Sequence, residues 1–256
     1  NALTVTGGTI AIVLGGGIGI GLRNLLETQN GADQVDAALV LFGALGYFIS
    51  ALLSLRLRRN ELGPTQSEIE ALQRAGAAAD RVATQLHAGL IPLVGRTEAQ
   101  VSADISARLL EEGHDVVNFA IVAAGENAAS PHHHPGARVI RDGEIVLCDF
   151  GGTMADYCSD ITRCVHLGTP SQEILEAYAV LQEAQAASVA SAQVGATCES
   201  VDEAARRVIT EAGFGEYFVH RTGHGIGMEA HEDPYIVAGN TEALLAGHAF
   251  SIEPGI

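Results

Sequence analysis

An internal repeat restricts what this chain can fold into more than any other feature. A shift of one hundred residues aligns Gly95 with Gly195, Thr97 with Thr197, Val101 with Val201, Leu109 with Ile209 and Gly113 with Gly213. In each copy a threonine opens the run, apolar residues recur at helical spacing, and a glycine closes it. Gln100 follows Thr97 by three residues, the spacing at which the two side chains cap a first turn reciprocally. Thr65 and Glu68 form a second such pair, after which Ile69, Leu72, Ala75 and Ala79 recur on one helical face. Helices are therefore expected from Thr65, over 97–113, over about 171–192 and over about 199–212, with strands at Val116–Ala123 and Ile145–Phe150. Two helices and then strands, occurring twice, predict a pseudo-twofold α+β domain with its natural cleft between the halves.

The texture changes at Gly63-Pro64. Ahead of it, Ala2–Leu22 and Ala37–Leu55 contain no charge, and the second run ends in Arg56, Arg58 and Arg59. Each run is roughly as long as a hydrocarbon core requires, and basic residues after such a span favour the cytoplasmic side. The expectation is one or two apolar, membrane-spanning helices within residues 1–63, with membrane association through residues 2–55 and a cytoplasmic domain over 64–256. The pair weakly resembles helices of a major facilitator type transporter. The chain has 31 acidic and 14 basic residues, no lysine, and a formal charge of −17, and the acid excess lies wholly beyond residue 60. Such a surface repels phosphates, and no basic stripe with interleaved aromatics offsets it, so nucleic acid is not an expected partner. Cys148, Cys158, Cys164 and Cys198 have no CxxC spacing, which reads as free thiols in a reducing compartment.

Three segments carry candidate chemistry. In Ile145–Arg163, Asp149 and Asp160 stand eleven residues apart, and Gly151 and Gly152 read as the turn between two strands. Asp149 is in phase with Ile145 and Leu147, so its carboxylate is expected on the core face, where it needs a cation or several donors. In Val219–Tyr235, His220, His224 and His231 are separated by glycines, which excludes a helical face and lets backbone approach a ligand closely. Glu253 ends an apolar strand in Phe250-Ser-Ile-Glu-Pro-Gly. Asp149, Asp160, His224 and Glu253 make a carboxylate and imidazole set without thiolate, suited to Mn, Fe, Co or Zn and, with several carboxylates, to two ions.

Five strings in order carry a specific resemblance: SEIEALQRA from Ser67, GENAASPHHHP from Gly125, CDFGGTMADYCSDITR from Cys148, HRTGHGIGMEAHEDPYI from His220 and FSIEPG from Phe250. Over residues 65–256 the chain resembles the M24 metallopeptidases, within them the Xaa-Pro peptidase branch of prolidases and aminopeptidases P. The resemblance implies the pita-bread fold and two divalent metal ions, Mn first, with Co, Zn or Fe as alternatives. It makes Asp149 a ligand of one ion, Asp160 a bridge, and His224 and Glu253 ligands of the other. His132 and His220 match pocket histidines. His231 matches one that faces the developing charge at the scissile peptide, and Glu253 also matches a proton carrier to the leaving nitrogen. His133 and His134 have no such match and read as solvent-facing loop residues. The implied substrates are short peptides with proline in second position, cut by a homo-oligomer.

Two departures qualify the expectation. The family pattern continues past SIEPG to a last bridging glutamate, and this sequence ends at Ile256, so these residues alone are expected to hold one metal firmly and to hydrolyse poorly. An N-terminal domain usual in the branch is replaced by the apolar runs. Methionine aminopeptidase-like activity, a non-catalytic pita-bread binding module and a transporter remnant with a passenger domain are the competing readings.

Overall fold

A computed structural model describes residues 64–256. The apolar runs at 2–22 and 37–55, with the membrane and transporter readings that rest on them, lie outside the described residues. Among the described residues no helix is long and apolar enough to cross a membrane.

Helix α1 spans Gln66–His87 and starts at the capping box of Thr65 and Glu68. Its buried face is mainly alanine, Ala71, Ala75, Ala78, Ala79 and Ala83, joined by Val82 and Leu86, which lets the helix pack close to the sheet below. Helix α2 (Glu98–Glu111) has the predicted Thr97 and Gln100 box and buries Val101, Ile105 and Leu109. Strand β1 (Val116–Ala124) pairs antiparallel with β2 (Ile145–Met154), which pairs on its other edge with β3 (Tyr157–Cys158) and β4 (Ile161–His166). The core of this half collects Val82, Leu86, Ile91, Val101, Ile105, Leu109, Val122, Ile140, Val146, Cys148 and Phe150.

The second half repeats the plan. Helix α3 (Gln172–Ser191) is capped by Ser171, and α4 (Cys198–Glu211) by Thr197. They precede a short pair, β5 (Gly223–Gly225) with β6 (Glu232–Ile236). The repeat read from sequence is present in the hydrogen bonds themselves. The Gly95 amide donates to Ile140 O, as Gly195 does to Leu244 O. The Glu98 amide donates to Arg138 O and the Cys198 amide to Glu242 O, while Thr97 bridges Val139 as Thr197 bridges Ala243. Each helix then ends in the same motif, with His114 N donating to Leu109 O and Phe214 N to Ile209 O.

Three local expectations need correction. Gly151 and Gly152 are not a turn but lie inside β2, and the turn is made by Ala155 and Asp156, both with positive φ (49° and 69°). The glycines serve close approach instead, because a Cβ at Gly151 would stand 1.9 Å from the carbonyl oxygen of Ser159. Asp149 does share a face with Ile145 and Leu147, but the core face of β2 is the opposite one, carrying Val146, Cys148 and Phe150. The Phe250–Glu253 segment runs extended beside β5 through a bridge from Phe250 to Gly225 and the bonds Ser251 N to His224 O and Glu253 N to Thr222 O, rather than forming a regular strand.

Candidate metal centre

Asp149 on β2 and Thr162 on β4 are directly paired, and the Thr162 hydroxyl donates to Asp149 Oδ1 at 3.0 Å. Asp160 sits between β3 and β4, on chain brought close to β2 where Gly151 has no side chain. From the other half, β5 presents His224, 2% exposed in its side chain, and the neighbouring extended segment presents Glu253. His224 Nε2 lies 3.4 Å from Asp160 Oδ2 and 3.2 Å from Glu253 Oε1. The structure thus brings Asp149, Asp160, His224 and Glu253 together from four segments of the chain.

Their charges are strongly perturbed. Burial pushes the Asp149 carboxyl well above the usual carboxylate range, and the neighbouring carboxylates of Asp160 and Glu253 push it further. Burial pulls His224 down, but hydrogen bonding to Asp160 and Glu253 outweighs it and raises the imidazole to about 10. Glu253 resists its own burial and stays below its ordinary value because His224 and the Ser251 hydroxyl donate to it. Three carboxylates converging in a protected place need compensating positive charge, which the raised His224 imidazole favours and which a cation would supply.

Among the described residues, no group of three or more His, Cys, Asp or Glu is arranged to hold a metal ion as it stands, since the imidazole closes directly onto the carboxylates. The donor chemistry fits nonetheless. His224 Nδ1 lies 3.0 Å from Gly225 O, the backbone bond that fixes a metal-binding histidine with Nε2 facing inward. That nitrogen and three carboxylates form an oxygen-rich set for divalent ions of intermediate hardness.

The remaining sequence candidates are distributed around this group. His231 lies against His224 with ring centroids 4.1 Å apart and planes tilted by 51°. Burial and the nearby positive charges of His224 and Arg221 hold His231 below its ordinary value. His220 packs edge-on to Phe218, and a Cβ at Gly255 would stand 2.6 Å from its Nε2, which places it against the segment carrying Glu253. His132 is not drawn into the group. It sits exposed with a left-handed backbone (φ 57°) and forms no hydrogen bond to a described residue. His134 is exposed, but the expectation for His133 fails, because its Nε2 lies 2.9 Å from the buried Glu98 carboxylate.

Several contributors are not among the candidate ligands or pocket histidines, although Ser251 and Arg221 lie inside the FSIEPG and HRTGHGIGMEAHEDPYI strings. Ser251 accepts from the His224 amide and donates to Glu253 Oε1 at 2.9 Å, tying the two candidate ligands together. The Arg221 guanidinium lies 5.4 Å from the Tyr235 ring centroid, and its Nε is buried without a hydrogen-bond partner among the described residues. Glu98 is fully buried and accepts from Ala124 N, Asn127 Nδ2, His133 Nε2 and Gly136 N. For Ser251 and Arg221 membership of those strings is the available sequence signal, whereas Glu98 reads as an ordinary helix-start glutamate.

The two-half α+β architecture is the pita-bread fold of metallopeptidases. Residues 70–256 match Metallopeptidase family M24, and the chain belongs to that family. A probable dipeptidase PepE of Mycobacterium tuberculosis is 49% identical over 219 residues, covering 85% of this chain and 58% of that protein. An Xaa-Pro dipeptidase of Lactobacillus helveticus is 45% identical over 202 residues, covering 78% and 54%. The crystal structure of dipeptidase PepE from Mycobacterium ulcerans matches with a TM-score of 0.74 and 51% identity, covering 78% of this chain and 54% of that one. The chain spans a little over half the length of these relatives.

Proposed function

We propose that this chain supplies a catalytic domain for metal-dependent hydrolysis of the bond between an N-terminal residue and proline in short peptides. The observation that carries the reading is the convergence of Asp149, Asp160, His224 and Glu253, with His224 Nε2 within 3.4 Å of two of the carboxylates. The proposed holders of the ions are those four side chains, with Asp160 between the halves as the bridge. Divalent ions held there would supply Lewis acidity and a nucleophile at neutral pH.

The remaining steps belong to side chains. His231 is held below its ordinary value, so it stays neutral near pH 7 and presents a ring N–H to the carbonyl oxygen as charge develops. Glu253, to which the Ser251 hydroxyl donates, is proposed to take a proton and return it to the leaving nitrogen. Arg221, whose Nε has no hydrogen-bond partner among the described residues, is proposed to meet the terminal carboxylate of a dipeptide. His132 and His220 are proposed to line the substrate pocket.

Mn is the proposed metal, with Co, Fe and Zn as alternatives, on the strength of the carboxylate-rich donors. A cytoplasmic location with residues 2–55 as membrane anchor remains a proposal from hydropathy and the basic cluster, to be tested by alkaline extraction of membranes. The catalytic reading is tested with the full chain by following release of the first residue from an Xaa-Pro dipeptide with and without Mn(II). Metal-dependent release from Xaa-Pro, and none from the matched Xaa-Ala peptide, is expected. Equal cleavage of both peptides, or turnover undiminished by a chelator, contradicts it.

A further inference from the structure

Asp202 on α4 is 1% exposed and belongs to no motif of the centre. Its oxygens are fully engaged. Oδ1 accepts from the Thr222 hydroxyl at 2.7 Å and from Arg206 Nη2 at 2.9 Å, and Oδ2 accepts from Arg206 Nε at 2.8 Å. Arg206 directs its other donors to the carbonyls of Phe218 (3.0 Å) and His220 (3.1 Å), and its guanidinium covers the Phe218 ring at 4.1 Å. Thr222, itself 0% exposed, donates its amide to Ile236 O and accepts the Glu253 amide on its carbonyl at 2.8 Å. Apart from the pair joining Asp202 to Arg206, every one of these side-chain bonds leaves α4 and ends on residues 218–222. That segment leads directly into His224, and Glu253 docks against it.

Packing of α4 does not require this arrangement. Cys198, Val201, Ala205 and Ile209 already bury its apolar face. A largely buried ion pair such as this one, with Asp202 buried and Arg206 27% exposed, is commonly neutral or unfavourable for stability beside apolar side chains, so its value lies in fixing a register. Partners behind a metal ligand orient it, and their loss typically lowers metal affinity about 10- to 100-fold.

We propose that Asp202, through Thr222 and Arg206, is a positioning residue of the metal centre, setting where His224 Nε2 and the Glu253 carboxylate stand. The proposal rests on the reading of His224 and Glu253 as metal ligands. Thr222 is the sensitive point, because one residue receives the Asp202 hydrogen bond and bears the carbonyl that seats Glu253.

The test uses the full chain and Co(II), whose binding is followed by calorimetry and by visible absorption. Asp202→Asn and Thr222→Val are each expected to bind Co(II) about 10- to 100-fold more weakly with an altered absorption spectrum. Thr222→Ser keeps the hydroxyl and is expected to restore wild-type affinity. Ile105→Val, which lowers stability in the core of the first half, away from residues 218–222, is expected to bind as wild type. Should Asp202→Asn fail to fold, the Thr222→Val and Thr222→Ser pair decides alone. Wild-type affinity in Thr222→Val, or an equal loss in Ile105→Val, overturns the positioning role while leaving the metal centre intact. A wild-type chain that binds no Co(II) overturns the metal centre and this proposal with it.

Discussion

A Cβ added to Gly223 would stand 1.9 Å from the carbonyl oxygen of Ser251. The absence of a side chain there is what allows β5, carrying His224, to lie against the segment carrying Glu253. Gly151 has the same relation to Ser159 O, at 1.9 Å, on the side of Asp149 and Asp160. Both halves thus use a glycine to close the distance between two candidate ligands. Gly223→Ala is expected to destabilise the domain by about 3 kcal/mol or more, because the obstacle is backbone and cannot rotate away. Chemical denaturation checks this, and a loss under about 1 kcal/mol contradicts it.

Glu98 supplies a prediction in pH. Burial raises its carboxyl, but donors from Asn127, Ala124, His133 and Gly136 outweigh burial and leave it below the ordinary 4.5. A carboxyl depressed in the folded state contributes stability that is complete above the unfolded value and lost as pH falls through the folded one. Wild-type stability should therefore decline below pH 4.5 more steeply than that of Glu98→Gln. At neutral pH the variant should be less stable by about 2–4 kcal/mol, since an amide replaces an acceptor facing several N–H groups. Urea midpoints across the acid range test both, and parallel pH curves for the two proteins are the contrary outcome.

Arg221 should discriminate substrate length. If its guanidinium meets the terminal carboxylate, Arg221→Met raises KM for an Xaa-Pro dipeptide about 10- to 100-fold with little change in kcat. A tripeptide, whose carboxylate lies one residue further out, should suffer less. Steady-state kinetics on the two substrates measure the split, and equal losses on both remove the assignment.

What the sequence discloses follows the range of the forces involved. Thr65, Thr97 and Thr197 are legible as helix starts because capping is settled within a few residues, and the repeat is legible because both copies use the same caps and closing glycines. Histidines with intervening glycines and widely spaced aspartates mark the centre for a similar reason, since each string is local. The face of Asp149 is not legible, because β2 lies between two neighbours and which face meets α1 and α2 depends on packing from elsewhere. His133 looks like any loop histidine until α2 brings Glu98 beneath it. Asp202 and Arg206, four residues apart on a helix, look like a surface pair, and their hydrogen bonds to residues 218–222, with Asp202 buried and Arg206 half-buried, depend on that segment folding over them.

Asp160 decides the central claim most directly, because it stands beside His224 between the two halves and is the proposed bridge. Wild type and Asp160→Asn should be titrated with Mn(II) by calorimetry and assayed on an Xaa-Pro dipeptide in the same preparations. The account predicts that wild type binds Mn(II) and releases the first residue only when metal is present, and that Asp160→Asn, folded by circular dichroism, loses metal binding and at least about a thousandfold in kcat/KM. A folded Asp160→Asn that binds Mn(II) and cleaves the dipeptide as wild type does would contradict it.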